Sequence, residues 1–325
     1  MLLDSLFLVL GLVLILVGAN ALTDGASAVA KRFGISDLVI GLTVVAFGTS
    51  APELVISIVS AINGSAELAV GNVVGSNLFN TLVIIGVTAM IVPMTISRGI
   101  MINEIPLVIL SSIVLLVMGN GPLLDGTSEM MITRSSGIVL LLFFAIFMRY
   151  TFSQAKNASP DDPAQEEASQ KKPMSMLKSV IWVVGGLAAL IYGGDRFVAG
   201  ASGIARGLGV SEAVIGLTIV AAGTSLPELA TSIAAALKGK TGIALGNVIG
   251  SNIFNIFLVL GASATIRPLA FGDIGNFDLL TLVVASLLFW IFGWFFKTRT
   301  ITRVEGAIMT AVYIGYVGVL IANAA

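Results

Sequence analysis

Apolar residues run along this chain in long blocks separated by short polar stretches. The alternating patterns of a soluble fold are missing. A helix that crosses a membrane needs about 20 mostly apolar residues. Ten blocks meet that length: 3–22, 37–61, 68–91, 100–119 and 135–152, then 178–199, 212–237, 243–266, 277–296 and 302–323. The second and third blocks of each set are interrupted by Gly, Pro and polar residues. Lipid would not satisfy the backbone groups freed at such breaks, so these blocks are expected inside the bundle.

The blocks form two sets because the sequence repeats. Glu53 matches Glu228, Gly71 matches Gly246 and Asn80 matches Asn255, all at an offset of 175 residues. The match runs without a gap from Gly18/Gly193 to Pro93/Pro268, with roughly half the positions identical, the mark of a duplicated unit. The expected division is a first five-helix repeat over 1–152, a cytoplasmic linker over 153–177 and a second five-helix repeat over 178–325. The linker carries Pro160, Asp161, Asp162, Pro163, Glu166, Glu167, Lys171 and Lys172 and reads as a polar, flexible connection.

Lys and Arg fix the orientation. With the N-terminus outside, thirteen of them fall on the cytoplasmic side, among them Lys31, Arg32, Arg98, Arg149, Lys238 and Lys240. Only Arg134, Arg196, Arg206 and Arg267 fall outside. Both termini are therefore expected outside the cell (inner or plasma) membrane. Five spans per half is an odd number, so the second half should sit upside down relative to the first. The expected fold class is an all-α polytopic membrane protein, ten transmembrane helices in two inverted five-helix repeats. Such repeats are typical of secondary transporters with a site at the bilayer midplane.

Composition narrows the chemistry. Hydrophobic residues make up 57 % and charged residues 11 %, with a mean hydropathy of +1.03. Soluble domains carry about a quarter charged residues. Cysteine and histidine are absent. That excludes disulfides, thiolate or imidazole metal sites and histidine acid–base catalysis. No basic patch points to nucleic acid. Ala19-Asn20-Ala21 mimics a signal-peptide cleavage site but lacks a basic segment before it, so the first block is expected to stay.

The candidate chemistry lies in the broken blocks. Residues 46–54 read Ala-Phe-Gly-Thr-Ser-Ala-Pro-Glu-Leu, and 221–229 read Ala-Ala-Gly-Thr-Ser-Leu-Pro-Glu-Leu. Pro52 lacks an N–H and clashes with the Gly48 carbonyl, so the helix should open there. Carbonyls near Ala46 and Thr49 would then turn into the bundle, joined by the Thr49 and Ser50 hydroxyls and the Glu53 carboxylate one turn on. The second copy offers Ala221, Thr224, Ser225 and Glu228. The third block of each half reads Gly-Asn-Val-x-Gly-Ser-Asn-x-Phe-Asn, which puts Ser76 with Asn80, and Ser251 with Asn255, on one helical face. Asn77 and Asn252 lie off that face and are expected to cap or bridge helices, while Asn72 and Asn247 are expected to order the start of the block. Every offered ligand is a hard oxygen, which suits Ca²⁺ and alkali cations. Two carboxylates in a membrane are costly unless balanced by cations. One Ca²⁺ or two Na⁺ would balance them equally, which makes exchange of one ion for the other physically natural.

In these two motifs, Gly-Thr-Ser-x-Pro-Glu and Gly-Ser-Asn-x-Phe-Asn, each present twice, the sequence resembles the calcium/cation antiporter superfamily, and most of all the prokaryotic sodium/calcium exchangers. The resemblance covers essentially all ten blocks. It implies a Na⁺/Ca²⁺ antiporter, not an enzyme, with no catalytic residues and no resident cofactor. Ca²⁺ and Na⁺ would be its substrates, the lipid bilayer its surroundings and a monomer its default state. It implies Ca²⁺ held by Glu53, Glu228 and the Thr49 and Thr224 carbonyls. It also implies Na⁺ sites at Ala46, Ser50, Ser76, Ala221, Ser225 and Ser251, with the first and sixth helices sliding past a fixed core. Some relatives carry Asp where this chain has Asn255, an acid linked with potassium coupling; both Asn80 and Asn255 are neutral here. Proton-coupled relatives usually show Gly-Asn-x-x-Glu in the first motif, which is absent. Exchange of H⁺ for Ca²⁺, K⁺-dependent exchange and a cation channel are the alternatives. Outside the motif, Glu104 is expected at the interface without a counterpart in the second half, Asp195 to pair with Arg196, and Trp290 and Trp294 to lie in an aromatic belt.

Overall fold

A computed structural model describes residues 2–156, 174–208, 221–296 and 299–324. Most of the linker, 157–173, and the start of the seventh block, 212–220, lie outside the described residues. The architecture is all-helical. Its elements are α1 (Leu2–Phe33), α2 (Asp37–Thr49), α3 (Ala51–Asn63), α4 (Ala66–Ile91), α5 (Ile100–Gly119) and α6 (Arg134–Lys156). They continue with α7 (Met176–Gly207), α8 (Leu226–Leu237), α9 (Thr241–Ile266), α10 (Asn276–Phe295) and α11 (Arg303–Ala324). Eight of these are long and apolar enough to cross a membrane, or nine if the bent pair α2–α3 counts as one span. The chain is a multi-pass membrane protein.

Burial separates core from rim. The most apolar stretch of α9 is 94 % buried and that of α4 is 72 %, whereas α1, α6 and α11 each show 22 %. The polar, glycine-rich third blocks are therefore central, and the purely apolar helices face outward. This is the sorting their composition dictates, because a helix apolar all round loses nothing in lipid.

Helices α1 and α7 extend well beyond the 3–22 and 178–199 read from hydropathy. At 32 residues each they are about 48 Å long, more than the roughly 30 Å hydrocarbon layer. Hydropathy misses the extensions because they are rich in Gly, Ala and Ser. Gly34, with φ +64°, ends α1, and the Ser36 hydroxyl accepts from the Val39 amide at 3.3 Å to start α2. The two long helices touch backbone to backbone. A Cβ on Gly18 would lie 2.8 Å from the Gly186 carbonyl oxygen, and one on Gly25 would lie 2.9 Å from that of Ser179. At the other end, Gly11 meets Gly193 and Phe197. Residue numbers rise on one helix as they fall on the other, so the pair is antiparallel.

Two short ladders tie the halves together. β1 (Met94–Thr95) pairs antiparallel with β4 (Thr300–Ile301), and β2 (Met131–Ile132) with β3 (Leu269–Ala270). β1 and β3 stand at the same 175-residue offset, and each pairs with a strand of the opposite half. Glycine contacts repeat this crossing. Gly86 of α4 packs on Gly306 of α11, and its match Gly261 of α9 packs on Gly137 of α6.

Candidate functional site

Each motif breaks its helix between its glycine and its proline, within the span of the expected clash. α2 ends at Thr49 and α3 begins at Ala51, bent by 47°. Ser50 sits between them with φ −85° and ψ 6°, and Ser225 adopts φ −92° and ψ 6° at the second break. Helical bonding resumes with Leu54 N–H to the Ser50 carbonyl and Leu229 N–H to the Ser225 carbonyl, both at 3.1 Å. The Ala46 carbonyl stays in the helical ladder and accepts the Ser50 amide at 2.9 Å. Its partner lies ahead of the proline, so the missing Pro52 N–H does not free it. In the second motif the described residues begin with the helical Ala221–Gly223, and the Ala221 side chain lies outside them.

The breaks leave Glu53 and Glu228 as the third residues of α3 and α8, at the positive ends of those helices, each 1 % exposed. Spacing on a straight helix puts Thr49 and Ser50 beside Glu53. The bend changes that. The Ser50 hydroxyl donates to Glu228 Oε1 at 3.1 Å, and Thr49 also neighbours Glu228. Thr224 and Ser225 neighbour Glu53 instead, outside hydrogen-bond geometry. Each half thus turns its hydroxyls toward the other half's carboxylate, and the two carboxylates face each other closely enough to interact.

Asn72 and Asn247 do more than order the start of a helix. Asn247 Nδ2 donates to the Glu228 carbonyl at 3.1 Å and to the Ser232 hydroxyl at 3.0 Å. Asn72 makes the same pair of bonds to the Glu53 carbonyl, at 3.4 Å, and to the Ser57 hydroxyl, at 3.1 Å. Thr49 adds a bond from its hydroxyl to Asn247 Oδ1 at 3.0 Å. These asparagines clamp the glutamate-bearing turns to α4 and α9. Ser57 and Ser232 went unnoticed in the sequence, although both stand at the 175-residue offset.

Ser76, Asn80, Ser251 and Asn255 are all buried at the centre of the bundle. Ser251 Oγ approaches Glu228 Oε1 at 3.5 Å. Asn80 and Asn255 fall in wider, π-helical turns, Phe79–Ile84 and Phe254–Leu260, a distortion frequent at functional sites. Both oxygens of Glu53, Glu228 Oε2, both amide atoms of Asn80, Asn255 Oδ1, Thr224 Oγ1 and Ser225 Oγ are buried with no hydrogen-bond partner among the described residues. Buried polar atoms are normally satisfied. Their concentration around two carboxylates marks a cradle of hard oxygens. Among the described residues, no group of three or more Asp, Glu, His or Cys gathers anywhere. Among the described residues, the acidic groups at the site are Glu53 and Glu228.

The sequence pattern of the family described as sodium/calcium exchanger protein matches residues 4–153 and 178–322. The chain belongs to this family. Within the exchanger family it is 39 % identical to the putative antiporter CaxA of Alkalimonas amylolytica, over 97 % of this chain and 98 % of the relative. It is 34 % identical to the sodium/calcium exchanger MaX1 of Methanosarcina acetivorans, over 98 % of each chain. Its fold matches the sodium-calcium exchanger NCX_Mj, solved after soaking with 2.5 mM Na⁺ and 0.1 mM Ca²⁺, with a TM-score of 0.82 and 32 % identity over 98 % of each chain.

Outside the cradle, this exchanger-family chain departs from expectation at Glu104 and Trp290 and meets it at Trp294, Asp195 and Arg196. Glu104 is buried in the bundle at 3 % exposure, and its Oε1 accepts from the Tyr150 hydroxyl at 2.7 Å. It also has a counterpart: Asp278 accepts from Tyr316 at 2.7 Å. The fixed offset hid the match, because the register slips by one residue beside the π-helical turn Ile100–Glu104. Trp290 is half-buried and donates to the Met101 carbonyl at 3.2 Å, so only Trp294 is exposed as a belt residue would be. Asp195 and Arg196 do pair, at 2.5 Å.

Proposed function

We propose that the protein exchanges Na⁺ for Ca²⁺ across the cell membrane by alternating access around the Glu53–Glu228 cradle. The observation that carries this reading is the facing pair of buried glutamates, each bordered by hydroxyls from the opposite half and left with unpartnered oxygens. Ca²⁺ takes six to eight oxygens. Glu53, Glu228 and the Thr49 and Thr224 carbonyls would supply its ligands. Na⁺ would use Ala46, Ser50, Ser76, Ala221, Ser225 and Ser251, with Asn80 and Asn255 completing the shell. Either load balances the two carboxylates, whereas an empty cradle leaves like charges opposed in a low-dielectric core. Conversion between the two loads is therefore favoured over release without replacement, which is antiport.

The architecture that serves this is ten spans in two inverted repeats, the tenth completed by 212–237. Supporting it, α1 and α7, matched at the 175-residue offset, pack antiparallel. The Lys/Arg asymmetry puts both termini outside and the linker inside. The tight glycine seam would hold α1 and α7 together, so that the two long helices slide as a unit past the glutamate-bearing core. Each crossing that moves one net charge couples to the membrane potential by about 2.3 kcal/mol per 100 mV. The protein would work as a monomer, since one chain holds both half-sites, with no resident cofactor.

The test is uptake of ⁴⁵Ca²⁺ into proteoliposomes loaded with Na⁺, K⁺ or buffer at low pH. Uptake driven by an outward Na⁺ gradient alone is expected. Uptake driven only by a pH gradient, or flux indifferent to any counter-gradient, would replace this reading with proton coupling or a channel.

A further inference from the structure

The two halves differ at the position immediately after their last shared asparagine. Asn77 and Asn80 match Asn252 and Asn255, but Thr81 is matched by Ile256. That one difference falls on an amide network where α4 crosses α9. Asn252 Nδ2 donates to Thr81 Oγ1 at 2.8 Å. Asn77 has no hydroxyl to meet at Ile256, and its Nδ2 donates to the Asn252 backbone carbonyl at 3.1 Å. Asn77 Oδ1 then accepts from Asn255 Nδ2 at 3.0 Å. All five residues are fully buried.

The result is asymmetric. Asn255 is held by its nitrogen, which leaves its Oδ1 buried and unpartnered. Neither amide atom of Asn80 has a partner among the described residues. A carboxamide presents an oxygen or an NH₂ group depending on which way it is turned. Holding the nitrogen fixes which end is offered. Without the Thr81 hydroxyl, the Asn252 amide needs another acceptor. Asn77 Oδ1 is the side-chain oxygen of this network already in use, so competition for it would release Asn255.

We propose that Thr81 is a positioning residue for ion selectivity: by taking the Asn252 amide, it reserves Asn77 for Asn255 and so fixes the Asn255 carboxamide oxygen as a cation ligand. The two halves of the cradle then differ, with an oriented oxygen from the second and an adjustable amide from the first. A fixed additional oxygen favours Ca²⁺, which needs many ligands, over Na⁺. This inference rests on the ion-exchange reading above.

The experiment compares wild type with Thr81→Ser, Thr81→Ala and Thr81→Val in Na⁺-driven ⁴⁵Ca²⁺ uptake, together with the Ca²⁺-induced rise in Tm of the purified proteins. Ser keeps the hydroxyl; Ala and Val remove it, and Val keeps the volume. Ser should retain the wild-type KM for Ca²⁺. Ala and Val should raise it by the order of tenfold, the worth of about one hydrogen bond, at unchanged kcat and with a smaller Ca²⁺-induced rise in Tm. A wild-type KM in Val overturns the inference, as does an equal KM shift in Ser and Ala. If Val does not fold, the Ser/Ala pair decides. If wild type shows no Na⁺-driven uptake, the exchange reading fails, and the Ca²⁺-induced rise in Tm across the variants still decides the role of Thr81.

Discussion

At the scale of single residues, the site depends on two carboxylates that only cations can balance. Glu53→Gln and Glu228→Gln each remove one negative charge while keeping shape. Each should abolish Na⁺-driven Ca²⁺ uptake in protein that still purifies as a monodisperse species; uptake within twofold of wild type would count against the pair. Protons compete with metal ions for the same oxygens. Protonation neutralises the carboxylate and removes its attraction for the cation, so uptake should fall as pH is lowered from about 8 to about 5. A flat profile over that window would mean the carboxylates are not the exchanging groups. Asn247 serves a different end. Asn247→Ala strands the Glu228 carbonyl and the Ser232 hydroxyl, at a cost of about 1–3 kcal/mol read as a lower Tm. The motif residues were legible in the sequence, because the duplication repeats them in register. Their partners were not. Spacing on an ideal helix joins Thr49 to Glu53, and only the 47° bend turns Thr49 and Ser50 toward Glu228.

At the scale of elements, hydropathy marked the apolar cores of the spans and missed where they end. The extensions of α1 and α7 are built from small residues whose value lies in close backbone contact, which a hydropathy window does not register. The same contact carries a prediction. A side chain at Gly18 would run into the Gly186 carbonyl and the Leu190 amide, at 2.8 and 2.9 Å from its first carbon. Gly18→Leu should therefore force α1 and α7 apart and slow exchange by at least tenfold. Gly185→Ala, with nothing within 4 Å of its added carbon, should leave it near wild type. Equal effects from both substitutions would rule out the seam as what holds the sliding pair together. The ion pairs of Lys238 with Asp24, at 2.7 Å, and Lys240 with Asp37, at 3.1 Å, lie near one end of this seam and were not foreseen. Opposite charges far apart in sequence give no local signal of meeting.

At the scale of the whole molecule, duplication plus an odd number of spans per half predicts opposite orientation for matched positions. The natural absence of cysteine makes the prediction easy to check. Arg98, at the start of a helix, and Asp273, in a turn, are matched at the 175-residue offset, and both are exposed. In intact cells, a membrane-impermeant maleimide should label Asp273→Cys directly and Arg98→Cys only after permeabilisation. Labelling of both from one side would remove the inverted arrangement. The overall helical architecture was legible because lipid imposes a simple composition rule on every span. The crosswise ladders β1–β4 and β2–β3 were not, since two-residue strands carry no periodic pattern.

The central claim is that glutamates from the two halves share one divalent ion. An anomalous difference map from crystals soaked in Sr²⁺, a heavier stand-in for Ca²⁺, tests it most directly. A single strong peak should lie within about 2.3–2.6 Å of oxygens from both Glu53 and Glu228 and vanish in Glu53→Gln. A peak bound to only one of them, or a peak elsewhere in the bundle that survives the substitution, would contradict the account.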